Sequence, residues 1–193
     1  MRARTLVLAV GIAALAAARP VAAARMPEIV AGVGATTAIE GEPDGGGASL
    51  GLALLWPLET HFRAGVMGFT DDLGVREDRL IGPGGEDLGP IPGSHRSALG
   101  LVWRMEAHLP TTGRYDVFLG TTWGGYRVVD DLRGQTTRTL NAVGFGLGLG
   151  LARRLAAAHE AGITLRYQQL SRGTAQRYLS AAAEWRWQRG ATD

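Results

Sequence analysis

The chain contains no cysteine and no lysine. The first absence excludes a disulfide framework and any thiolate metal site. The second excludes a lysine nucleophile or Schiff base. Beyond its opening two dozen residues there is also no apolar run of the roughly 20 residues that a membrane-spanning helix needs. Neither sign of charge dominates. Once Arg2, Arg4 and Arg19 are set aside, the 20 arginines become 17 against 18 acids, a net charge of −1. Such a balance leaves nucleic-acid binding without an electrostatic footprint.

Arg2 and Arg4, the apolar run from Leu6 to Ala18, and the small residues Val21-Ala22-Ala23-Ala24 before Arg25 have the three-part layout of a secretory signal peptide. Residues 1–24 are therefore set apart from the fold as an export signal. Glycine, at 29 of 193 residues, is about twice its usual ~7% share. It is spread through alternating segments rather than pooled in a linker, which suits turns and a crowded sheet interior.

The stretch Arg177 to Gln188 carries the strongest pattern. Leu179, Ala181, Ala183, Trp185 and Trp187 are apolar, and Ser180, Ala182, Glu184 and Arg186 between them are small, polar or charged. Successive side chains of a strand point to opposite faces, so this strand has one greasy and one wet face. Tyr178, Ala181, Ala182 and Trp185 also match helical spacing, and the rest of the chain decides between the two.

Eight segments separated by turn signals follow the leader: Glu28 to Glu40, Ser49 to Leu58, His61 to Thr70, Ser97 to His108, Arg114 to Val129, Thr137 to Leu155, Gly162 to Leu170, and Arg177 to Gln188. Leu50, Leu52, Leu54 and Trp56 share a parity in the second; Leu99, Leu101, Trp103 and Met105 do so in the fourth. In the sixth, Gly144, Gly146, Gly148 and Gly150 alternate with large apolar residues. Each glycine costs a helix about 1 kcal/mol relative to alanine, so a strand is predicted there. The connections alternate between short and long, and the longest, Asp71 to Ser94, reads as an external loop.

An even strand number, short turns on one side and longer loops on the other describe an all-β, eight-stranded, antiparallel up-and-down transmembrane β-barrel over residues 25–188, with 189–193 as a tail. In this architecture the charges face inward and the apolar residues meet lipid. The chain resembles the eight-stranded outer-membrane β-barrel proteins of Gram-negative bacteria, the group that includes the OmpA transmembrane domain and OmpX. Ser180, Ala182, Trp185 and Trp187 also resemble the family's C-terminal assembly signal. The resemblance implies an outer-membrane protein with periplasmic termini, recognised by the barrel-assembly machinery and surrounded by outer-membrane lipid and lipopolysaccharide. It further implies a monomer with a structural or surface-interaction role, no cofactor and no nucleic-acid partner.

An eight-stranded barrel has an interior that side chains just fill. Parity places Arg104, Glu106, His108, Arg166, Glu184 and Arg186 inside, with Arg63 and Arg154. Buried charges must be paired, so Arg104, Glu106, Arg166, Glu184 and Arg186 are predicted to form a lumen ion-pair network. Trp56, Tyr115, Trp185 and Trp187 fit a periplasmic aromatic girdle, and Trp123 with Tyr178 an external one. His95 and Ser97 form a His-x-Ser motif similar to that of barrel-shaped lipid A deacylases. The nearest downstream acid, Glu106, falls on the opposite face, so no catalytic residue is assigned. Eleven of the eighteen acids fall in expected external loops, without the spacing of a calcium loop and hence with no metal site assigned. A third alternative, a soluble periplasmic ligand-binding barrel, would want its leucines inside.

Overall fold

The computed structural model describes residues 26–40, 46–111, 113–131, 138–171 and 176–188. The leader 1–24, the tail and the connections at 41–45, 132–137 and 172–175 lie outside the described residues. Eight strands close into one barrel in chain order: β1 (Glu28–Glu40), β2 (Gly46–Glu59), β3 (Phe62–Ile81), β4 (Asp87–Leu109), β5 (Tyr115–Asp131), β6 (Arg138–Ala156), β7 (His159–Ser171) and β8 (Gln176–Gln188). Every neighbouring pair is antiparallel, including β1 with β8, so no sheet edge is left within the barrel wall.

The register fixes the shape. Starting at Ile29, the ladder passes through Leu54, Val66, Trp103, Trp123, Phe145, Gln169 and Arg177, yet Ile29 itself faces Trp187. The path thus returns displaced from residue 177 to 187, a shear of 10. That stagger over eight strands requires a strand tilt of about 40°. Moving from β1 towards β8 therefore climbs the barrel by about one residue per strand, and residues distant in number come to share a level.

Polarity is inverted relative to a soluble barrel. Leu50, Leu52, Leu54, Leu99, Leu101, Phe145, Leu147, Leu149, Leu151, Ile163 and Leu165 are exposed on the outer face, Leu101 at 68%. Arg104, Glu106, Arg166, Glu184 and Arg186 are all buried on the inner one. Such burial is stable only if water is replaced by hydrocarbon outside, where a closed barrel satisfies every backbone group.

The glycines of the inner parity make room for rings. A Cβ built on Gly150 would lie 2.0 Å from Cζ of Phe118, and one on Gly100 would lie 2.3 Å from Cζ of Phe69. The rings occupy the volume that those side chains would fill, which explains the alternation of glycine with leucine in β6.

One sequence expectation is overturned here. Asp71 to Ser94 is not a loop: β3 runs on to Ile81 and β4 begins at Asp87, leaving only Gly82 to Glu86 as the turn. Register shifts between Asp72/Gly74, Arg76/Asp78 and Arg79/Ile81 absorb the glycines and prolines that disguised these strands. Because β2 pairs with β3 only as far as Asp71, and β5 with β4 only from His95, this ribbon rises above the wall paired with itself.

Candidate functional site

β4 and β8 stand on opposite sides of the barrel, and each sends two charges inward at alternate positions. The shear brings those four charges to one level. Arg104 holds Glu184 through two parallel bonds, Nη1 to Oε1 and Nη2 to Oε2, both 2.9 Å, and reaches Glu106 Oε1 at 2.5 Å. Arg186 donates to both oxygens of Glu106, at 2.8 and 3.0 Å, and to Glu184 Oε2 at 2.9 Å. Each arginine therefore touches both carboxylates, the planar fork geometry that suits guanidinium to carboxylate.

The network continues towards the end of the barrel where β1 begins and β8 ends. Arg63 donates to Glu28 at 2.6 Å, and Glu28 also lies 3.5 Å from Arg186. His108 sits between Asp116, 2.6 Å from Nδ1, and Glu106, 3.1 Å from Nε2. Phe118 forms the floor: His108 stacks on it at 5.2 Å, and the Arg186 guanidinium lies 4.2 Å from the ring centroid.

Arg166 requires a correction. It is buried and faces inward, but among the described residues it makes no ion pair. Its Nη1 lies 3.1 Å from Met67 Sδ and its guanidinium 5.5 Å over Phe69, while Nε has no hydrogen-bond partner. The register sets it against two apolar side chains of β3 rather than at the level of Glu106 and Glu184. Arg154, of the same parity as the inward set, is also not a lumen residue: its side chain is exposed at the rim, 3.7 Å from Glu160.

Above Arg166 the lumen turns apolar. Phe69, Leu73, Ala98, Tyr126, Val128, Ala142, Leu170 and Tyr178 are buried together there. Tyr178 is the second correction. It is fully buried and shares the parity of Ser180, Ala182 and Glu184, so it packs inside and cannot belong to an external girdle. The mouth on the side of the β3–β4 ribbon is lined by Arg96, which binds Asp130 at 2.5 and 3.0 Å and Gln176 at 3.2 Å. Sequence reasoning missed this pair because Asp130 read as a loop residue. Ser49 donates to Asp71 at 2.5 Å just inside the mouth.

The remaining aromatics face outward. Trp56, Tyr115 and Trp185 are exposed near the end of the barrel where β1 begins and β8 ends, where Trp187 is partly covered and Arg153 lies 5.9 Å over the Tyr115 ring. Trp123 is exposed higher on the wall. At the base of the β3–β4 ribbon His95 Nε2 lies 2.9 Å from Asp72 Oδ1, an acid supplied by β3 that no search along the sequence of β4 would find. Asp72 Oδ1 also accepts the Gly74 N–H at 2.8 Å. Ser97 stands opposite Asp72 in the ladder, but no hydrogen bond joins it to His95. A base and an orienting acid are thus paired, but the candidate nucleophile is not joined to them. Among the described residues no group of three or more His, Cys, Asp or Glu side chains could hold a metal ion.

An eight-stranded barrel of shear 10, charged within and apolar without, is a β-barrel of the outer-membrane type. No family model matches the sequence, and no curated protein matches it. Solved structures do. The Neisserial surface protein NspA superposes with a TM-score of 0.64 at 13% identity, covering 84% of this chain and 96% of that one. Ail, the attachment invasion locus protein of Yersinia pestis, solved with the heparin analogue sucrose octasulfate, gives 0.51 at 7% identity over 85% of this chain and 97% of its own. OprG of Pseudomonas aeruginosa gives 0.50 at 12% over 86% and 94%. All are outer-membrane barrels, and the likeness is one of fold.

Proposed function

We propose that the protein is a monomeric integral barrel of the Gram-negative outer membrane, with periplasmic termini, a sealed lumen, no catalytic activity and a surface-interaction role. The observation that carries this reading is the inverted polarity: leucine and tryptophan outside, paired arginine and glutamate inside. The lumen holds the Arg104/Glu106/Glu184/Arg186 quartet, the apolar cluster and the Arg96/Asp130 pair at three levels, which supports a sealed interior.

The β3–β4 ribbon is the element suited to a partner. It stands clear of the wall and exposes Val75, Ile81 and Leu88. Its edges carry unpaired backbone groups, which an extended segment of another protein can pair with. The fold it shares with Ail is compatible with such a role. Arg127, exposed at the upper end of the apolar belt, suits contact with phosphate-bearing headgroups of lipopolysaccharide. The closing strand β8 supports engagement by the barrel-assembly machinery.

Insertion and sealing are tested together by refolding the mature chain into micelles, then reconstituting it in planar bilayers. Resistance to SDS until boiling, with no large conductance steps, is the expected outcome. Steady porin-like currents would refute a sealed lumen, and an unchanged gel mobility on boiling would refute the membrane barrel.

A further inference from the structure

The outward file of β6 is apolar with one exception. Val143, Phe145, Leu147, Leu149 and Leu151 are exposed, and so is Leu155 at the strand end. Arg153 stands between Leu151 and Leu155 with the same outward parity, and it too is exposed. Among the described residues it makes no ion pair. Its guanidinium lies instead 5.9 Å over the ring of Tyr115, its ladder partner on β5. An arginine on a lipid-facing wall is tolerated near the interface, where its stem covers apolar surface and its head reaches the polar headgroups.

The surroundings of Arg153 are basic. Arg114 and Arg154 are exposed at the same corner, joined by the Arg154 N–H donating to the Arg114 carbonyl at 2.9 Å. The acids of these strand ends have the inward parity: Asp116 is taken by His108 at 2.6 Å, and Glu160 lies 3.7 Å from Arg154. The wall is also notched here. Arg153 is the ladder partner of Ala161, and Ala161 of Trp185. A small side chain between two large ones leaves a shallow gap about 10 Å across, two strand spacings. Leu151 and Ile163, ladder partners and both exposed, continue it towards the middle of the apolar belt. Forked cationic donors at the edge of an apolar wall are complementary to a phosphodiester that carries acyl chains.

We infer that this corner of the barrel seats one anionic glycerophospholipid. Arg153 holds its phosphodiester, Arg114 and Arg154 add to the positive field, and an acyl chain lies in the notch over Ala161 against Leu151 and Ile163. The inference rests on the membrane-barrel reading above.

The test uses the full mature chain refolded in micelles doped with phosphatidylglycerol or phosphatidylcholine at equal mole fraction, with retained lipid counted by native mass spectrometry. The phosphodiester is common to both lipids, but the choline cation would meet three arginines. The wild type should therefore hold one phosphatidylglycerol about tenfold more tightly than phosphatidylcholine. Arg153→Leu completes the apolar file and should abolish that preference. Ala161→Phe fills the notch, leaves the charge and should weaken retention of both lipids. Arg138→Gln removes an exposed arginine at the opposite end and should change nothing. The heat-dependent gel shift is read on every sample. A wild type that shifts on boiling but retains neither lipid, or both alike, overturns the inference and leaves the barrel standing. A wild type that does not shift fails the membrane-barrel reading instead. A preference that persists in Arg153→Leu, or falls equally in Arg138→Gln, would overturn the inference by making net charge its cause. Displacement of the lipid by inorganic phosphate would do so too, since the site would then bind anions without regard to the chains.

Discussion

Replacing Arg186 with methionine tests the lumen quartet most sharply. The guanidinium makes three bonds of 2.8 to 3.0 Å to Glu106 and Glu184 and covers Phe118 at 4.2 Å. Methionine keeps much of the apolar contact and removes the charge. Arg104 remains, but one cation then faces two carboxylates, so a buried negative charge is left uncompensated. Breaking a buried pair from one side costs about 3–5 kcal/mol. Removing Glu106 as well, in Arg186→Met/Glu106→Leu, restores neutrality, because Arg104 and Glu184 keep their two parallel bonds of 2.9 Å. Replacing a whole buried pair with apolar groups is often neutral. The double variant is therefore expected within about 1–2 kcal/mol of wild type, far better than the sum of the single changes. Urea unfolding in lipid vesicles, followed by tryptophan fluorescence and by the gel shift, measures both variants. A cost below about 1 kcal/mol for Arg186→Met, or a double variant as unstable as the sum of the single changes, would refute the electrostatic reasoning.

Gly150→Ala should destabilise the barrel by about 1–3 kcal/mol, as overpacking does, since its Cβ would fall 2.0 Å from Phe118; Phe118→Leu in the same chain should recover most of the loss in the same assay. Leu147→Arg, at the middle of the outer belt, should cost about 2–4 kcal/mol in a bilayer. An unchanged urea midpoint would mean that Leu147 does not face hydrocarbon. Ser97→Ala should leave lipid A acylation unchanged in cells that carry the protein, measured by mass spectrometry of extracted lipid. A shift in acyl-chain number would revive the hydrolase alternative through Asp72 and His95.

Strand parity was the part of the fold legible in the sequence, because alternation is a local property. Leu179 to Arg186 and Leu50 to Trp56 show it residue by residue, and their exposure follows it. The ribbon from Asp71 to Ser94 was not legible. Its glycines and prolines are turn signals in isolation, and only pairing between two irregular strands turns them into ladder. Levels within the barrel were equally hidden. Arg104 and Glu184 meet across 80 positions because of the shear, and the same shear sets Arg166 against Met67 rather than in a salt bridge, which no spacing rule reveals. Tyr178 was misplaced for a different reason. Its height on β8 suited a girdle, but its parity already matched Ser180 and Glu184, and parity decides the face.

The absence of native cysteine allows the inverted polarity to be measured directly, by placing single nitroxide labels along β2. In vesicles, labels at Leu50, Leu52 and Leu54 should collide with oxygen dissolved in the bilayer and be shielded from an aqueous nickel reagent. Labels at Gly51 and Ala53 should be shielded from both, giving a two-residue alternation in electron paramagnetic resonance relaxation. If the even-numbered sites respond instead to nickel, or if oxygen access does not alternate, the leucines do not face lipid, and the account of this chain as a membrane barrel fails.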